Sequence, residues 1–303
     1  MTQRTVRVQA DPPRRLETFV RHELPTYSRQ AIHRLITAGE ILVNGRRARK
    51  GHPLALGDLV TLPDQREVQP QPELPVRVVF EDEYLVIVDK PGGLRSHARD
   101  PQQRDTVAAW LCAHYPDTAS SGEPLGGGLA HRLDTGTSGL LIAARSAAVF
   151  AALRTAFRER AIEKHYLAVV VGETPASMTL DAALAHDRRD RRRMTLARPG
   201  QQAWRARTLV TRQDSRPPCS VLDVTMPTGV THQIRVQLAL AGHPIVGDTL
   251  YEGPAHPALP PGRHALHARR LGFVHPITAQ QISVEAPCPA DVAAVLATGV
   301  PRA

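Results

Sequence analysis

The chain has 303 residues, 42% of them hydrophobic and 22% charged, the balance of an ordinary globular protein with room for two domains. No apolar run approaches the roughly 20 residues that span a bilayer, and the opening MTQRTVRVQADPPRR lacks the apolar stretch of a secretory signal. The expectation is a cytoplasmic protein with no membrane partner. Three scattered cysteines, Cys112, Cys219 and Cys288, argue against a disulfide framework or a cysteine zinc site and read as buried small hydrophobes.

The formal net charge is +9, and of the 38 cationic residues only Lys50, Lys90 and Lys164 are lysines. Codon bias accounts for the Arg-to-Lys ratio but not for the net charge. A basic balance favours a polyanionic partner, and arginine suits phosphate geometry.

In chain order, RRLETFVRHEL carries Leu16, Phe19, Val20 and Leu24 at helical spacing. YSRQAIHRLITAGE reads as a second helix, with Ser28 as its cap and a stop at Gly39. ILVNGRRA is a short strand entering an Asn44-Gly45 hairpin turn, and LGDLVTL is another turn and strand. Residues 1–62 thus form a small α+β unit. Its cations include Arg14, Arg15, Arg29, Arg34, Arg46, Arg47, Arg49 and Lys50, several of them beside the second helix and the hairpin, as an RNA-contacting face would have them. Residues 63–75, rich in Pro and Gln, read as a linker.

From residue 76 to 303 strands dominate. VRVVFEDEYLVIVDKPGG gives two strands around an acidic turn, and DTVAAWLCAHY a helix. GLLIAAR is a strand, and SAAVFAALRTAFRERAIEKHY a long helix. YLAVVVG, MTLDAAL, ARTLVTR, CSVLDVTM, HQIRVQLALAGH, GFVHP and QISVEAP supply further strands and one helix. Without a regular βαβ alternation, the pattern points to α+β with a mixed, largely antiparallel sheet.

One segment stands apart, GGGLAHRLDTGTSGLLIAAR, with a lone acid, Asp134, among His131, Arg132, Thr135, Thr137 and Ser138. It is no phosphate loop, since the lysine is absent and the apolar run follows the glycines. The 14 histidines show no HExxH pattern, so no metal is expected. Glycosidic cleavage normally uses two carboxylates, and Asp134 has no evident partner in sequence; Glu163 and Asp248 are candidates only. Read alone, Asp134 fits a capped turn.

Taken with EKHYLAVVVGE at 163–173 and TGVTHQIRVQLALAGHPIVGDTLYEG at 228–253, the segment HRLDTGTSG resembles the signature of the RluA-type pseudouridine synthases. EDEYLVIVDKPGGLRSH and ALHARRLGFVHP resemble that family's first and last segments, and the N-terminal unit resembles the S-four RNA-binding domain. The resemblance implies isomerisation of uridine to pseudouridine in structured RNA, with ribosomal RNA favoured over transfer RNA by the appended domain. The ribose–nitrogen bond breaks, the base turns, and a carbon–carbon bond forms from the same sugar carbon. With no redox change and no net water, no cofactor is implied. The expected fold is a synthase-type catalytic domain at 76–303 behind a small α+β RNA-binding domain, acting as a monomer.

By the same resemblance, Asp134 is the catalytic carboxylate, as nucleophile or as base, and must be ionised. Arg235 pairs with it, lowers its pKa and orients it bidentately. Tyr166 stacks on the target base and takes a proton from it. Arg132 fills the stack a flipped uridine vacates, His131 and Thr137 add RNA contacts, and Leu266 packs under the base. Val230 stands where the family usually has a basic residue, which removes a phosphate or backbone contact there. HDRRDRRRM at 186–194 reads as a cationic loop, a solvated tip or an RNA grip.

Overall fold

A computed structural model describes residues 3–9, 15–24, 27, 29–63, 68–98, 103–123 and 125–298. Arg14 and Ser28, expected as an RNA contact and a helix cap, lie outside them.

The N-terminal unit contains β1 (Gln3–Arg7), α1 (Leu16–Glu23), α2 (Arg29–Ala38), β2 (Leu42–Val43), β3 (Arg46–Arg47) and β4 (Leu59–Pro63), with the sheet in the order β1-β4-β2-β3. Its core joins Leu16, Phe19 and Val20 of α1 to Ile32, Leu35 and Ile36 of α2 and to Val60 and Leu62 of β4. This is the helical spacing seen in the sequence, closed over one sheet face. Strand β1 has no counterpart in the sequence reading, because QRTVR is half-exposed throughout and carries no apolar alternation. Beyond Pro63 the chain is not loose where described. Val68 is buried with Val86 and Val88, and the Gln71 N–H donates to the Ala109 carbonyl at 3.1 Å.

The rest builds on a ten-stranded sheet. Its elements are β5 (Arg77–Glu81), β6 (Leu85–Lys90), α3 (Val107–His114), β7 (Ser138–Ala144), α4 (Ala147–Arg158), β8 (Glu163–Val171), β9 (Ser177–His186), β10 (Met194–Leu196), β11 (Trp204–Arg216), β12 (Cys219–Thr225), α5 (Gln233–Leu240), β13 (Leu266–Val274), β14 (Gln281–Glu285) and α6 (Ala290–Thr298). The order is β10-β9-β11-β12-β8-β13-β7-β6-β5, with β14 on β13. Among the described strands β7–β13 is the one parallel pair. The uninterrupted apolar run of β7 follows from its place, for all seven residues are buried. Leu141 and Ala143 face a core shared with α3 and α6, while Leu140 and Ile142 face the side covered by Val149 and Leu153 of α4.

Two expectations are corrected. The long helix stops at Arg158, with four residues between it and the start of β8 at Glu163, since the chain turns at Arg160 with a left-handed φ of 61° and buries Ile162. Of the cysteines, Cys112 and Cys219 are buried but Cys288 is exposed. Among the described residues, no helix is long and apolar enough to cross a membrane.

Candidate active site

The lone acid sits on a turn fastened from every side. Thr137 N–H closes the turn onto the Asp134 carbonyl at 3.1 Å. Lys90, fully buried, donates through Nζ to the carbonyls of Pro91, Leu94 and Thr135 at 3.0, 2.8 and 3.2 Å. Burial pulls this amine down to about 7, yet three carbonyl acceptors match the three donors of the ammonium form. Arg263 donates to the Gly136 carbonyl at 2.7 Å and to Ser138 Oγ at 2.9 Å, anchored in turn by Asp291 at 2.7 Å. Two glycines of the motif are required by close approach. A Cβ on Gly136 would lie 2.3 Å from the Gly262 carbonyl oxygen, and one on Gly139, at φ 115°, 2.2 Å from that of Ala268 across the parallel pair.

His131 and Thr137, expected as RNA contacts, both line the cleft and are both bonded to the protein. His131 Nε2 accepts the Ile142 N–H at 3.1 Å, and its ring packs on Phe157. Thr137 is 2% exposed, with its hydroxyl on His264 Nε2 at 2.8 Å. Both hold the turn.

The Asp134 carboxylate faces the first turn of α5. Arg235 Nη1 donates to Asp134 Oδ2 at 2.9 Å. The bidentate fork expected for Asp134 goes elsewhere: Arg235 Nε and Nη2 grip Asp248 Oδ2 and Oδ1 at 2.7 and 2.8 Å. Asp248 is 2% exposed with both oxygens engaged, so it is no second catalytic carboxylate. Burial alone would raise the Asp134 carboxyl, but His232 when protonated, and Arg235 through its charge and hydrogen bond, outweigh it and hold it below the ordinary value. Burial lowers His232 in its turn, so near neutral pH the cation beside Asp134 is Arg235. Asp134 is thus an ionised carboxylate bound through Oδ2, with Oδ1 unengaged among the described residues.

Asp134 lines a cleft of about 430 Å³ together with Tyr166, Leu266, Ile234, Arg132 and Lys164. Tyr166 pairs with Ala268 and Leu266 with Ala168 across β8–β13, so alternation turns both toward the cleft floor. Burial, then the charge of Asp134, raises the Tyr166 phenol far above its ordinary value, so it is neutral. Arg132 is exposed at the rim, with no protein partner among the described residues, and Arg154 and Arg158 share that rim. Lys164 lies 5.8 Å over the Phe157 ring, and burial takes its amine down to about 8. Val230 is half-buried, packs against the cluster of Leu184, Met194 and Tyr251 and lines the cleft.

In the N-terminal unit, Arg15, Arg46 and Lys50 are exposed, while Arg29 is tied to Glu17 at 2.6 Å. Among the described residues no His, Cys, Asp or Glu group of three could hold a metal. Sequence reasoning missed the roles of Lys90, Tyr251, His264 and Arg263. The segments quoted for the resemblance contain Lys90 and Tyr251, but only the fold brings these residues to Asp134. The arrangement offers one ionised oxygen beside an aromatic and aliphatic floor, and cations at the rim.

The family described as RNA pseudouridylate synthase matches residues 84–240, and the S4 domain family matches residues 14–60. An "uncharacterized RNA pseudouridine synthase" of Chloroflexus aurantiacus is 39% identical over 96% of this chain and 92% of its own. The "ribosomal large subunit pseudouridine synthase D" of Xylella fastidiosa is 34% identical over 94% and 88%. In fold, human RNA pseudouridylate synthase domain containing 4 is similar at a TM-score of 0.57, with 23% identity over 73% of this chain and 92% of that one.

Proposed function

We propose that this chain, which belongs to the RNA pseudouridylate synthase family, converts uridines of ribosomal RNA to pseudouridine. The observation that carries this reading is the Asp134 carboxylate, lining the cleft and kept ionised by Arg235 through Oδ2, with Oδ1 unengaged among the described residues. Relatives named as ribosomal large subunit synthases support the ribosomal target. The S4 match supports residues 1–62 as the RNA-holding unit before a catalytic unit at 76–303.

The target uridine leaves its stack and enters the cleft, at a cost of a few kcal/mol. Arg132 stands at the rim to fill the gap in the RNA. The uracil ring lies on Tyr166 over Leu266, and the sugar faces Asp134. Oδ1 acts there as nucleophile at the sugar carbon or as base for a sugar proton, and both routes need the ionised form. The freed uracil turns within the cleft. Its C5 bonds the same sugar carbon as the bond from that carbon to Oδ1 breaks, or as the sugar proton returns from Asp134. The neutral Tyr166 relays to solvent the proton that C5 loses, while the freed ring nitrogen takes one up. One carboxylate suffices because the base returns and no water is consumed. Electrons and atoms balance within the nucleotide, so the reading needs neither metal nor cofactor, and the chain acts as a cytoplasmic monomer.

The test is pseudouridine mapping, by carbodiimide-dependent primer-extension stops, on unmodified ribosomal RNA with chelator present. The expected result is discrete stops with no free uracil. Free uracil would make the protein a glycosidase, and the absence of stops on ribosomal RNA with stops on transfer RNA would move the target.

A further inference from the structure

The catalytic pair is flanked by a chain of contacts that the proposed chemistry leaves unused. Tyr251, 3% exposed, lies under the Arg235 guanidinium at 5.2 Å, and its hydroxyl contacts two groups. The Met194 N–H, at the start of β10, donates to Tyr251 Oη at 2.8 Å. His232 Nδ1 lies 2.9 Å from the same oxygen. His232 Nε2 is 3.8 Å from Asp134 Oδ2, too long for a hydrogen bond, and the ring lines the cleft.

The proton positions follow from satisfaction of donors. A backbone N–H cannot accept, so Tyr251 Oη accepts from Met194. The phenol has one proton to give, and among the described residues His232 Nδ1 is the acceptor within reach. Were Nδ1 to carry the imidazole proton, the buried O–H would be left without an acceptor, which costs the desolvation of a polar group. Burial raises the Tyr251 phenol and lowers His232, so both are neutral near pH 7. In a neutral imidazole with Nδ1 accepting, the proton is on Nε2.

We infer that Tyr251 is a positioning residue that locks His232 in the Nε2–H tautomer, making His232 a second N–H donor, beside Arg235, in the wall of the cleft. Resting on the function proposed above, the inference gives that donor a task. The uracil carbonyl oxygens gain negative charge as the ribose–nitrogen bond breaks, and a fixed N–H stabilises such charge more in the transition state than in the bound uridine. His232 takes the left-handed φ of 54° just before α5, which turns its ring away from the helix and into this position.

Two substitutions separate the donor from the backbone. Gln places its amide nitrogen near the Nε2 position, whereas Asn reaches only about as far as Nδ1 and tolerates the left-handed φ better. With saturating RNA, H232Q is expected to stay within a few-fold of wild type and H232N to lose turnover by roughly 10²-fold, the effect of removing one oxyanion donor. RNA affinity stays unchanged in both. Y251F, which removes the phenol proton, lowers kcat at constant RNA Kd.

Imidazole ¹⁵N shifts of the wild-type protein without RNA read the tautomer directly: Nε2 protonated and Nδ1 bare, with a mixture in Y251F. A protonated Nδ1 in wild type overturns the inference, as does an H232N at least as active as H232Q. If the tautomer is as inferred but wild type forms no pseudouridine on any RNA, the assigned function fails and the Tyr251–His232 lock stands.

Discussion

The two walls of the cleft use the same residue type in opposite ways. On the Asp134 side, Arg235 and Arg263 are 7% and 2% exposed, and their guanidinium groups are bound by carboxylates and carbonyls. On the rim, Arg132 is exposed and without a protein partner among the described residues. Buried, fully bonded arginines fix a geometry. An exposed, unpaired arginine is left for an external polyanion. The arginines thus fall into two populations, and the exposed one is expected to set RNA affinity.

Substitutions on the buried wall should change chemistry or stability, and those on the rim only binding. The largest expected effect is that of D134N, which keeps shape but removes the ionised oxygen; turnover on RNA falls by on the order of 10³-fold, while filter binding is unchanged. R235M leaves Asp134 and Asp248 without their counter-charge and is expected to lower unfolding stability in urea by about 3–5 kcal/mol. A loss below 1 kcal/mol would place Arg235 with the rim arginines.

His264 gives a smaller effect, read through pH. Burial holds its pKa at about 3, below the ordinary 6.5, so the unfolded chain binds more protons as pH falls through 6.5. Stability is lost over that window, and H264Q should abolish about 2 kcal/mol of the decline between pH 6.5 and 5. The smallest effect is that of R132A, which should reduce the salt dependence of RNA binding by a slope of about 1 without altering the fold. A cooperative loss of stability in R132A would erase the distinction between the walls.

Much of this was legible in the sequence, for a physical reason in each case. Asp134, Tyr166 and Arg235 stand in motifs whose residue order carries the chemistry, and both N-terminal helices show their apolar spacing plainly. What was not legible depends on contacts through space. The Asp248 fork on Arg235 links residues 13 apart, and the bond of Thr137 to His264 links residues 127 apart. The bracing bonds of His131 and Thr137 were not legible either, because the fold alone brings the Ile142 N–H and His264 to them. The three-residue β10 and the edge strand β1 bury too little to leave a period.

The central claim is that Asp134 acts on a uridine inside RNA. Ribosomal RNA transcribed with tritium at uracil C5 tests it most directly, because that hydrogen is lost to water only when the new carbon–carbon bond forms there. Wild type is expected to release tritium in step with pseudouridine formed, and D134N to bind the same RNA and release none. Release by D134N at the wild-type rate would contradict the account.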